Sequence, residues 1–153
     1  MNKPDGIYTR VFTDGSRDPQ GVGGWGAILM RGEKEMQISG SATDTTNNAM
    51  EIMACIKSLD TFTKPTHVQM NTDSTYVFKA MTQWVDEWYD NDWKRKGAEI
   101  PNAELWKELL KVRDSHIDVT WVHVPRDVSE LNIAHELAND ARRAKREELG
   151  LEQ

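Results

Sequence analysis

The spacing of apolar side chains along this chain changes period repeatedly, and each change marks an element. The segment GIYTRVFTD, Gly6 to Asp14, alternates and is rich in β-branched and aromatic residues, which predicts a strand. GVGGWGAILMRGEKEMQISGSA predicts two more, with the turn near Arg31-Gly32-Glu33, so the first three strands form an antiparallel meander. In TTNNAMEIMACIKSLDTF the period lengthens. Ala49, Ile52, Met53, Ile56 and Leu59 make a stripe at helical spacing behind a polar start suited to capping. HVQMNTD, His67 to Asp73, is a short strand, and STYVFKAMTQW a helix directly after it with Ser74 as its cap. AELWKELLKV is another amphipathic helix. HIDVTWVHV is a strand with Ile117, Val119 and Trp121 on one face. The last helix runs from about Ser129 to Leu149, with Leu131, Ala134, Leu137, Ala138 and Ala141 inward and Asp127 and Glu130 at capping-box spacing.

The order βββαβααβα implies an α/β fold, a mixed sheet covered by helices. With 153 residues, no internal repeat and no low-complexity linker, the expected organisation is a single domain over 1–153. One cysteine, Cys55, lies in an apolar helical stretch, which reads as a packed thiol and fits a reducing, cytoplasmic setting. MNKPDGIYTR has no apolar signal region and no run of eighteen apolar residues occurs, so neither export nor a membrane partner is expected.

The formal charge is −6, from 25 acidic against 19 basic side chains. That balance argues against a phosphate-coated partner unless cations held by carboxylates reverse the local sign. Three acids invite that reading. Asp14 ends the first strand in FTDGS, Asp73 ends the fourth in NTDST, and Glu51 lies between Met50 and Ile52 on the first helix. Singly, strand-end acids before Gly or Ser are ordinary turn residues, and a helix glutamate is ordinarily solvated. Jointly, two carboxylates at the carboxyl ends of adjacent parallel strands repel unless a cation lies between them. An acidic cluster without clustered Cys or His points to Mg²⁺ or Mn²⁺ rather than structural zinc.

In this order and spacing, FTDGS, GVGGWGAIL, TTNNAMEIMA, NTDSTYV, TQWVDEW and ELW resemble ribonuclease H type 1, from about Tyr8 to Ala144. The resemblance implies a five-stranded mixed sheet, a three-strand antiparallel meander plus two parallel strands, flanked by helices. It also implies cleavage of the RNA strand of RNA–DNA hybrids with two divalent ions, by a protein expected to be monomeric. Carried over by position, Asp14 would bridge both ions, Glu51 bind the product-side ion and Asp73 hold the nucleophile-side ion. Thr46, Asn47 and Asn48 match residues placed against the hybrid's minor groove and DNA phosphate. Trp84 and Trp88 match aromatics lining the DNA-strand channel. Ser16, Thr75 and Asn102 complete the substrate-binding set so implied.

The pattern is broken in three places. The family's fourth carboxylate falls in a block resembling AD-x-LAN-x-A, where this chain reads AHELANDA, so His135 takes the aspartate's place as expected ligand. Asn132, Asn139 and Asp140 are its rivals. In the preceding loop, HVPRDVSE, the family's histidine position holds Pro125, leaving His123 or Arg126 to stand in. The segment matching the family's basic protrusion carries Asp86, Glu87, Asp90, Asp92 and Glu99 against Lys94, Arg95 and Lys96, which predicts weaker, less salt-dependent substrate binding. Arg142, Arg143, Lys145 and Arg146 offer another basic face but read better as a solvated helix end. Two rival functions remain: an impaired module that binds hybrids or a protein partner, and a nuclease for another substrate such as DNA.

Overall fold

A computed structural model describes residues 8–151 of the chain. The elements run β1 (Tyr8–Arg17), β2 (Gly23–Arg31), β3 (Lys34–Ala42), α1 (Asn47–Asp60), β4 (His67–Thr72), α2 (Thr75–Lys79), a π-helical turn (Ala80–Trp84), α3 (Val85–Asp90), β5 (Lys94–Arg95), β6 (Ala98–Glu99), α4 (Ala103–Asp114), β7 (Asp118–His123) and α5 (Ser129–Glu148). The main sheet has the order β3-β2-β1-β4-β7. The first three strands pair antiparallel, whereas β1–β4 and β4–β7 pair parallel, which is the mixed sheet expected.

Neighbouring residues on a strand point to opposite faces, and β2 shows what lies on each. A Cβ on Gly23 would meet Met50 of α1, and one on Gly24 would meet the Ala138 carbonyl of α5. So α1 and α5 cover opposite faces. The core on the α1 side joins Val11, Ile52, Leu59, Val68, Met70 and Val77 to Trp106 and Leu109 of α4. Burying each large apolar side chain there stabilises the fold by roughly 1.5–3 kcal/mol. Cys55 belongs to this core, and burial pushes its thiol up to about 12 despite the Thr13 hydroxyl nearby.

Several local expectations shift. The first strand was expected from Gly6; residues 1–7 lie outside the described chain, and β1 continues past Asp14 to Arg17 because β2 keeps pairing there. Ile117 is 60 % exposed, since β7 starts one residue later and the ladder to β4 with it. Asp127 and Glu130 make no capping box. The helix opens at Ser129 behind Val128, whose N–H donates to the Pro125 carbonyl, and no side chain caps it. Glu130 instead accepts from the Ser129 hydroxyl and from Arg10.

The helix expected over STYVFKAMTQW opens as Ser74 predicts, its hydroxyl accepting from the Val77 N–H, but then widens into the π-helical turn. There the Thr82 hydroxyl donates to the Phe78 carbonyl at 2.7 Å, competing with the backbone for that acceptor. The β5–β6 hairpin was not foreseen, because strands of two residues leave no alternation to read. Its turn, Lys96-Gly97, has positive φ at both positions, as a tight hairpin requires.

The basic tail is a solvated end only in part, with Arg143 exposed. Arg146 is buried and pairs with the buried Asp18 and with Gln20, locking the end of α5 onto the β1–β2 turn. Burial by itself would raise the Asp18 carboxyl, but the Arg146 hydrogen bond and the Val22 and Gln20 N–H groups hold it below its ordinary value. A carboxyl depressed in the fold stabilises it above the unfolded value, about 3.9, and that contribution disappears as pH falls through the lower folded value. The melting-temperature gap between the parent and Asp18→Asn should therefore be wide at neutral pH and close under acid. A gap that does not change with pH would show that the pair contributes no pH-dependent stability.

Candidate active site

Phe12 pairs with Asn71 at the last parallel step between β1 and β4. Asp14 and Asp73 both lie beyond it, at the carboxyl edge of the central strands, where open α/β sheets place their sites. Gly15 lets a third acid join them. A Cβ there would lie 2.6 Å from the Glu51 backbone nitrogen, so only glycine admits the first turn of α1 this close to β1. Thr46 fixes that turn, its hydroxyl accepting from the Ala49 N–H at 3.0 Å. Glu51 is thus not on a solvated face: it is only 9 % exposed, between the buried Met50 and Ile52.

Oxygens of Asp14, Glu51 and Asp73 come within 4.8 Å of one another. Glu51 Oε2 is buried with no hydrogen-bond partner. Burial, then the charge of Asp14, then that of Asp73 push the Glu51 carboxyl well above its ordinary value. Burial and Asp14 raise Asp73 as well, against the lowering effect of Arg126. Oxygen ligands that resist ionisation together are a set prepared for a cation.

His135 of α5 reaches the cluster from the other face, its Nδ1 2.7 Å from Asp14 Oδ2. The cleft, about 360 Å³, is lined by the three acids, Gly15, Ser16, Arg17, Asn47, Arg126, Asn132 and His135, closed by Leu131. Among His135's rivals, Asn132 lies in this cleft, Asn139 stands behind the histidine, and Asp140 points away to pair with Arg143. Both residues weighed for the missing loop histidine approach Asp73. Arg126 bonds its carboxylate at 3.2 Å, and His123 lies 3.2 Å from its carbonyl oxygen. The Arg126 guanidinium is 92 % exposed, so this ion pair contributes little to stability.

The other expected substrate residues fall elsewhere. Thr75 lies beside His123, its hydroxyl 3.4 Å from the ring, and Asn102 takes a left-handed backbone at the start of α4. Thr46 and Asn48 do not line the cleft, whereas Asn47 does. Trp84 and Trp88, with ring centres 5.8 Å apart, pack against the core and also line a second groove of about 870 Å³. Lys94, Arg95 and Lys96 line that groove as well, as do Glu87 and Glu99, while Asp86, Asp90 and Asp92 do not. The acidic protrusion therefore sorts its charges, with its three cations on the groove. Sequence reasoning passed over Arg17. Its only signal was adjacency to TDGS.

Comparison with known proteins bears on the family and the fold. Residues 7–142 match the family model described as RNase H. A ribonuclease H of Chromohalobacter salexigens is 39% identical over 150 residues, 94% of this chain and 92% of that protein. One from Caulobacter sp. is 44% identical over 115 residues, covering 73% of this chain and 75% of the other. Among solved structures, LC9-RNase H1, described as a type 1 RNase H with the type 2 active-site motif, superposes with a TM-score of 0.78 at 26% identity, over 94% of this chain and 75% of that one. LC11-RNase H1, solved in complex with RNA/DNA hybrid, shares the fold at a TM-score of 0.69 and 20% identity, over 90% and 98% of the two chains. The chain belongs to the ribonuclease H family of endoribonucleases.

Proposed function

We propose that this protein hydrolyses the RNA strand of RNA–DNA hybrids by a two-metal mechanism, with Asp14, Glu51 and Asp73 as ligands and His135 in the fourth position. The observation that carries the reading is the convergence of three carboxylates within 4.8 Å around a buried Glu51 oxygen that has no partner. An all-oxygen set of this kind fits Mg²⁺ or Mn²⁺. Such ions, when bound, activate the attacking water and stabilise the charge on the leaving oxygen.

The chain's own residues supply the rest. Asp14, Glu51 and Asp73 fix where cations stand relative to the scissile phosphate. Arg17 and Arg126, on the same cleft, neutralise phosphate charge, and Arg126 does so once it leaves Asp73. Asn47 and Ser16 offer hydrogen bonds to sugar and phosphate. Trp84 and Trp88, with Lys94, Arg95 and Lys96, form an aromatic and basic track for the DNA strand. LC11-RNase H1, with the same fold, was solved on a hybrid, which supports this substrate class.

Labelled hybrid, double-stranded RNA and duplex DNA, each with Mg²⁺ and Mn²⁺ titrated separately, test the reading. Metal-dependent cleavage of the hybrid's RNA strand is expected, and an intact hybrid would favour a pure binding module. Asp14→Asn should abolish cleavage and leave the fold unchanged. Retention of more than about a tenth of parental activity, a barrier change of only ~1.4 kcal/mol, would remove Asp14 from the site.

Glu51 gives a test by stability. A carboxyl whose value is raised in the fold destabilises the metal-free protein once pH exceeds the unfolded value, and increasingly so up to the folded one. Glu51→Gln should therefore raise the metal-free melting temperature at neutral pH while shrinking the further rise on adding Mn²⁺. A lower melting temperature with an undiminished metal response would contradict the assignment.

Binding tests the second groove. Glu87→Lys should tighten hybrid binding and steepen the slope of log K against log salt by about one. Asp86→Lys, off the groove, should change both less. Equal responses of the two variants would place the substrate elsewhere.

A further inference from the structure

Asn139 stands one turn after His135 on α5, and its side chain joins two parts of the site. Its Nδ2 lies 3.0 Å from His135 Nε2, and its Oδ1 lies 2.8 Å from the Ser16 hydroxyl. Ser16 Oγ is in turn 3.0 Å from Arg142 Nε, and His135 Nδ1 is 2.7 Å from Asp14 Oδ2. The two ends of this series set the direction of its hydrogens, because arginine cannot accept and a carboxylate cannot donate. Ser16 Oγ accepts from Arg142 and donates its own proton to Asn139 Oδ1. The amide then turns its NH₂ to the imidazole. Nε2 accepts, the ring proton lies on Nδ1, and the Asp14 carboxylate receives it.

We infer that Asn139 is a positioning residue: with Ser16 and Arg142 it holds His135 as the Nδ1–H tautomer, with the ring N–H on Asp14 and the lone pair on Nε2. Free histidine side chains prefer the opposite tautomer, so the network reverses the ordinary choice. The consequence is specific to a histidine at this position. The nitrogen turned to the carboxylates carries a proton, so in this arrangement His135 acts on Asp14 as a hydrogen-bond donor. The nitrogen free to take a cation is Nε2, and it becomes available only when the Asn139 amide is displaced. An aspartate here would face no such competition.

The inference rests on reading Asp14 and His135 as site residues, and its test is read without cleavage. The ring nitrogens of His135 in nitrogen-15-labelled, metal-free protein are observed on the alkaline plateau of their signals. The expected spectrum has Nδ1 protonated and Nε2 as the bare nitrogen. Asn139→Asp keeps the shape of the side chain but replaces the donor at Nε2 with an acceptor. It should move proton population to Nε2, bringing the two ring signals toward each other. A parent with its proton on Nε2, or an Asn139→Asp spectrum identical to the parent's, overturns the inference.

Discussion

The backbone of α5 lies so close to the sheet that a Cβ on Gly24 would stand 2.1 Å from the Ala138 carbonyl oxygen, and one on Gly26 would stand 2.5 Å from that of Ala134. On the opposite face Gly15 admits α1 in the same way. These approaches decide whether there is a site at all. Glu51 and His135 are held on two helices that cover opposite faces, and each meets the carboxyl edge of β1 only because the sheet offers bare backbone where they cross. A methyl group at any of these glycines would force the helix away or bend the strand. The small residues Ala134 and Ala138 on α5 serve the same contact from the helix side.

Closeness creates the electrostatic character of the cleft. Burial at the sheet edge first, and the charge of Asp14 second, push the Glu51 and Asp73 carboxyls upward. The molecule balances some of this within its own structure: Arg126 on Asp73, and the His135 N–H on Asp14. Glu51 receives the Gly15 N–H, but its Oε2 is buried with no partner. In the function proposed above, an acidic chain acts on a polyanion because the carboxylates that converge at the sheet edge would hold cations. Lys94, Arg95 and Lys96 line the neighbouring groove, together with Glu87 and Glu99.

Much of this was legible in the residues. Alternation and helical spacing located the strands and the long helices, since burial on one face imposes its period on the sequence directly. FTDGS and NTDST placed Asp14 and Asp73, because a site at the carboxyl edge of parallel strands needs its acids at strand ends. Glu51, between apolar neighbours on its helix, joins the two aspartates as the third acid, and the six blocks that resemble the family single out His135. The π-helical turn, the β5–β6 hairpin and the capping of α5 were not legible. Each depends on a few hydrogen bonds, such as Thr82 to Phe78, too local to leave a period.

What the sequence determined alone was the order of elements, the stripes that become core and the identity of the acids, because these follow from covalent spacing and from water's exclusion of apolar surface. Only the tertiary structure decided what each polar group faces. Arg146 reads as one more charge on a helix end until the fold buries it against Asp18, 128 residues away in the chain. Lys94, Arg95 and Lys96 stand among acids along the chain, and the fold decides which of these share their groove: Glu87 and Glu99 do, whereas Asp86, Asp90 and Asp92 do not. His135 reads as a substituted aspartate, but Ser16, Asn139 and Arg142 set which of its nitrogens faces Asp14. Hydrogen bonds are directional and short, so their partners are fixed by where helices cross strands, and a linear pattern carries no record of those crossings.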